Sequence, residues 1–123
     1  MATKILVIED EPVLLEALAK TFEKEGFEVL TATDGKEGLD VSLGTHPDII
    51  LLDILMPVMD GTEMLDKLRC DSWGKKARVL ILTNLSDLAR EAKSNSQGVL
   101  QYLIKSNLGL KDTVDKVKKS ICD

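Results

Sequence analysis

The chain has few of the residues that carry thiol or transition-metal chemistry. Among 123 residues there are two cysteines, Cys70 and Cys122, and a single histidine, His46. Two distant cysteines make neither a metal pattern nor a disulfide framework, so a reducing cytoplasm is the simplest compartment. Long apolar runs are also absent. No purely apolar stretch exceeds Ile49 to Leu52 in length, far too short to span a bilayer, and no signal peptide precedes the first strand-like run at Lys4. Positive charge is scarce: 16 basic residues face 21 acidic ones, for a net charge of -5. The only basic group that stands out is Lys116, Lys118 and Lys119, on the polar side of a helical pattern. Nucleic-acid binding by this segment is therefore disfavoured, and no membrane association is expected. Repeats, linkers and low-complexity stretches are missing too, which points to one domain over 1–123.

What is present is an alternation of two periods. Lys4 to Ile8 is a β-branched apolar run that stops at Glu9-Asp10-Glu11-Pro12. Pro12 with Leu14, Leu15, Leu18 and Phe22 opens a helix with an apolar stripe, ended by Gly26. A second strand follows over 27–32, an Asp34-Gly35 turn, and a helix over 36–43 closed by Gly44. Residues 49–52 are apolar throughout, as in a strand covered on both faces, and end at Asp53. After an Asp60-Gly61 turn, residues 63–69 read as a helix with Met64, Leu65 and Leu68 inward, followed by a polar loop over 71–76. Residues 79–82 form a fourth strand ended by Thr83, 88–94 a weak helix, and 101–104 a fifth strand ended by Lys105. Leu110, Val114, Val117 and Ile121 mark a last amphipathic helix. Five strands alternating with helices through short connections predict an α/β fold, a parallel sheet covered on both faces.

The polar residues fall at telling places. Glu9-Asp10, Asp53, Thr83 and Lys105 each follow or end a strand, and in open parallel sheets those ends share one edge where ligands bind. Each has an ordinary reading: Asp10 as a helix cap, Asp53 as a turn former, Thr83 as a strand residue, Lys105 as a solvated cation. Together they converge three carboxylates, which repel one another unless a cation sits among them. The ligands are all oxygens, which suits magnesium, with manganese and calcium as alternatives. An Asp carboxylate is a covalent nucleophile toward phosphoryl groups, and an ammonium and a hydroxyl suit the phosphoryl oxygens.

The segment Asp53-Ile54-Leu55-Met56-Pro57-Val58-Met59-Asp60-Gly61 resembles the signature loop of response-regulator receiver domains. Glu9-Asp10 resembles that family's acidic pair, Thr83 its hydroxyl position, Lys105 its lysine and Tyr102 its aromatic switch position. The resemblance covers the chain from Lys4 to the last helix. It implies a five-stranded doubly wound, flavodoxin-like sheet of order 2-1-3-4-5. It further implies a phosphoacceptor switch rather than an enzyme, with Asp53 taking phosphate from a histidine kinase or phosphotransfer protein. Magnesium, or manganese, would be held by Glu9, Asp10, Asp53 and the Leu55 carbonyl. Thr83 and Tyr102 would move on phosphorylation and change the preference for an output partner, and dimerisation of the otherwise monomeric chain on phosphorylation is one form that change could take. Ser106 stands where the family usually has Pro, and Asn84 where it usually has a small residue.

Other residues read as structural. His46 lies in a loop before Pro47, Trp73 packs at the core edge, and Cys70 has no charged surroundings that the sequence shows. A phosphatase or mutase of similar fold needs a second Asp two residues beyond the nucleophile, where this chain has Leu55. A flavin phosphate would be repelled by the acidic crevice. A degenerate receiver that binds partners without phosphorylation is the remaining alternative.

Overall fold

The computed structural model describes residues 2–54, 56, 58–83, 98–104 and 109–122. Five parallel strands, β1 (Lys4–Ile8), β2 (Glu28–Ala32), β3 (Ile49–Asp53), β4 (Val79–Thr83) and β5 (Gln101–Ile104), lie in the order β2-β1-β3-β4-β5. This is the predicted 2-1-3-4-5 arrangement. The described helices are α1 (Pro12–Lys24), α2 (Gly35–Thr45), α3 (Gly61–Arg69) and the C-terminal α4 (Leu110–Cys122), with a 3-10 turn at Gly74–Lys76. The expected helix over 88–94 lies outside the described residues.

Strand alternation sorts the core into two layers. Leu6, Ile8, Ile50, Leu52, Val79 and Ile81 pack with Met64, Leu65 and Leu68 of α3 on one face. Ile5, Val7, Ile49, Leu51, Leu80 and Leu82 pack with Leu18 and Phe22 of α1 and Val114 and Val117 of α4 on the other. With both faces covered, β3 and β4 are buried at every position, which is why they read as unbroken apolar runs. In α4 the expected stripe holds for Val114 and Val117, whereas Leu110 is 37% exposed.

Two helix boundaries differ from expectation. Gly44 does not close α2; the helix runs to Thr45 and ends at His46, whose φ is 49°. The stop is Pro47, which disfavours helical geometry in the residue before it and has no N–H to continue the ladder. Asp34-Gly35 and Asp60-Gly61 are not free turns but helix starts. Asp34 Oδ1 accepts from Glu37 N at 2.8 Å, and Asp60 Oδ1 accepts from Glu63 N at 2.9 Å. These are side-chain caps on otherwise unpaired backbone donors.

Candidate functional site

The strand order reverses beside β1, so the carboxyl ends of β1 and β3 meet at the crevice where such sheets bind ligands. Backbone pairing brings the acidic residues there. Glu9 continues the β1–β2 ladder by donating its N–H to Ala32 O at 3.0 Å, and its Oε2 accepts from Glu11 N at 3.0 Å. The acidic loop is thereby folded back on itself before Pro12 starts α1. Glu11, not Asp10, occupies the N-cap position of α1, so helix capping does not account for Asp10. Asp53 is the last residue of β3 and is paired with Leu82 of β4.

Glu9, Asp10 and Asp53 each offer a carboxylate oxygen, and the three oxygens lie within 4.8 Å of one another. Glu9 is 1% and Asp53 4% exposed, while Asp10 keeps contact with solvent. Charges of one sign this close, two of them out of water, repel strongly unless protons or a cation intervene. A donor set made only of oxygens, open to solvent on one side, fits a small hard divalent cation that keeps several waters.

Thr83 ends β4 and is fully buried, with its strand neighbour Leu82 paired to Asp53. Tyr102 on β5 is half-buried against the α2–α3 face of the core. Of the expected site residues, Lys105 and Leu55 lie outside the described residues, as do Asn84 and Ser106.

Sequence reading missed the role of Gly61. Its N–H donates to Ile54 O at 2.7 Å, and a Cβ there would sit 2.4 Å from Asp53 O. The glycine lets α3 begin directly against the backbone of Asp53, holding that carboxylate's strand end in place. Gly35 does the same on the far side of the loop, where a Cβ would meet Met59 O at 2.1 Å. Between them Val58 has φ 68°, a left-handed conformation that a β-branched residue adopts only at a cost, with its side chain 78% exposed.

The family model for the response regulator receiver domain matches residues 5–118. The chain belongs to the response regulator receiver domain family, the phosphoacceptor switches of two-component signalling. It is 32% identical over 119 residues to sporulation initiation phosphotransferase F of Bacillus subtilis, covering 97% of this chain and 94% of that one. It is 33% identical over 105 residues to response regulator MprA of Mycolicibacterium vanbaalenii, covering 85% of this chain but 45% of MprA. The chain thus spans less than half the length of that regulator. A CheY-like response regulator receiver domain protein from Methanospirillum hungatei superposes with a TM-score of 0.90 at 27% identity, covering 99% of this chain and 95% of that one.

Proposed function

We propose that residues 1–123 act as one phosphoacceptor domain in which Asp53 takes the phosphoryl group. The observation that carries this is the gathering of Glu9, Asp10 and Asp53 at the carboxyl edge, two of them buried. An Asp53 carboxylate oxygen attacks phosphorus in line, the bond from phosphorus to a donor imidazole nitrogen breaks, and its electron pair leaves with the imidazole. Glu9, Asp10, Asp53 and the Leu55 carbonyl would hold magnesium or manganese, which neutralises charge on the phosphoryl oxygens. Lys105 would hold a second phosphoryl oxygen as a point charge. The buried Thr83 hydroxyl donates to a third, and Tyr102 fills the space that Thr83 leaves.

The donor is a histidine kinase or a phosphotransfer protein of the cytoplasm. Val13 supports a protein donor: it follows the acidic pair by three positions and is 84% exposed, an apolar contact beside the site. With a small phosphodonor the same chemistry is self-phosphorylation, and the added charge of about -1.5 to -2 shifts an existing equilibrium of the output face.

The test is incubation with magnesium and a small phosphodonor, followed by intact mass. Wild type should gain one phosphoryl group and Asp53→Asn none. No gain by either would favour a receiver that binds partners without phosphorylation.

A further inference from the structure

The sheet has a second edge that the phosphoacceptor chemistry does not use. There, 27 residues apart in sequence, the His46 and Trp73 rings stack with centroids 4.4 Å apart and an interplanar angle of 11°. His46 is exposed at the end of α2, and Trp73 is half-buried at the start of the 3-10 turn. The pair forms a flat aromatic step joining the loop before β3 to the loop before β4. Three cations follow Trp73 within five positions: Lys75, Lys76 and Arg78, all exposed. Among the described residues none of the three takes part in an ion pair.

The carboxylates of these two loops do not answer them. Asp48 Oδ2 accepts from Lys4 N at 2.7 Å, and Asp71 Oδ2 accepts from Trp73 N and Gly74 N at 2.9 Å each. The turn itself is rigidly held. Arg69 Nη1 donates to Gly74 O at 2.7 Å and to Ala77 O at 2.8 Å, and a Cβ on Gly74 would sit 2.0 Å from Leu68 O. A chain of net charge -5 therefore presents, on a preorganised turn, unpaired cations within five positions of a partly open indole. Trp and Arg on rigid backbone are the residue types that anchor protein interfaces, and unpaired cations steer and select acidic partners.

We propose that the amino edge of the sheet, built on Trp73, His46, Lys75, Lys76 and Arg78, is a docking surface for an acidic segment of a partner protein. Charge complementarity selects that occupant: the segment supplies carboxylates to the three cations and an apolar side chain to the indole. The site is independent of phosphorylation, because it lies at the opposite ends of the strands from Asp53.

Trp73 is the only tryptophan, so its emission reports on this surface directly. The probe is a short labelled peptide of alternating Glu and Leu, followed by anisotropy and by Trp73 fluorescence. Binding should appear at about 50 mM salt and weaken at least about tenfold at about 300 mM. It should be lost in Lys75→Glu/Lys76→Glu/Arg78→Glu, whose circular dichroism and phosphorylation by a small phosphodonor remain those of wild type. Asp53→Asn should bind the peptide as wild type does. The proposal is overturned by absence of peptide binding, by equal binding to the triple variant, by binding only to anionic vesicles, or by a rise in mass showing that a second copy is the occupant.

Discussion

At the carboxyl edge of the sheet three carboxylates crowd within 4.8 Å, two of them buried; at the amino edge three cations stand apart in solvent. Both edges belong to one sheet. The difference lies in what the backbone does around them. Gly61 and Gly35 let α3 and α2 press against the loop after β3, which fixes the strand end that carries Asp53 beside Glu9 and Asp10. At the amino edge Asp48 and Asp71 turn their carboxylates onto backbone N–H groups, and the cations stay exposed. A crowded like-charge site favours a ligand that relieves it, whereas an exposed one only attracts.

The glycines break this comparison most sharply. Gly61→Ala should cost about 2–3 kcal/mol in urea denaturation, because the new methyl meets Asp53 O at 2.4 Å and neither helix nor strand can yield cheaply. It should also slow phosphorylation by displacing Asp53. If Gly61→Ala were neutral, close approach would not be what positions the nucleophile.

Relief of repulsion comes next. Magnesium at tenfold its Kd should stabilise the domain by about 1.4 kcal/mol, read as a rise in Tm reversed by chelation. Asp53→Asn, with one charge fewer at the site, should be more stable than wild type without magnesium and gain less from its addition. An equal gain in both proteins would place the ion elsewhere.

Gly44→Ala should act in the opposite direction to Gly61→Ala. A Cβ at Gly44 meets nothing within 4 Å and the residue is helical, so alanine should stabilise by about 0.5–1 kcal/mol. Denaturation of the two variants side by side separates a packing glycine from a merely permitted one.

The smallest effect belongs to the pair Glu25–Lys118, 2.5 Å apart and half-exposed. Lys118 holds the Glu25 carboxyl below its usual range, so whatever the pair contributes is present above the ordinary carboxylate range and lost as pH falls through the lowered value. Thermal melts of Glu25→Gln should differ little from wild type at neutral pH and not at all in strong acid.

Much of the fold was legible because burial on both faces leaves a mark in composition. Residues 49–52 and 79–82 have nothing but apolar side chains, and strands that alternate with helices must be parallel. The acidic cluster was legible for a related reason: strand ends in a parallel sheet share an edge, so Glu9, Asp10 and Asp53 could be brought together on paper. Gly35, Gly61 and Gly74 were opaque, since a glycine needed for turn geometry and one needed for close approach look alike until the opposing backbone is known. Gly44 misled in the same way, and the true stop, Pro47, lay three residues further on. The His46–Trp73 stack and the cations beside it escaped notice because a polar loop without its fold shows neither rigidity nor which carboxylates are already engaged.

The most direct measurement locates the phosphoryl group itself. After reaction with a small phosphodonor, reductive trapping of the acylphosphate and peptide mapping should mark Asp53 alone, and only when magnesium is supplied. A mark on Glu9 or Asp10, or an equal yield after chelation, would contradict the assignment of Asp53 as a nucleophile served by a cation held at the carboxyl edge.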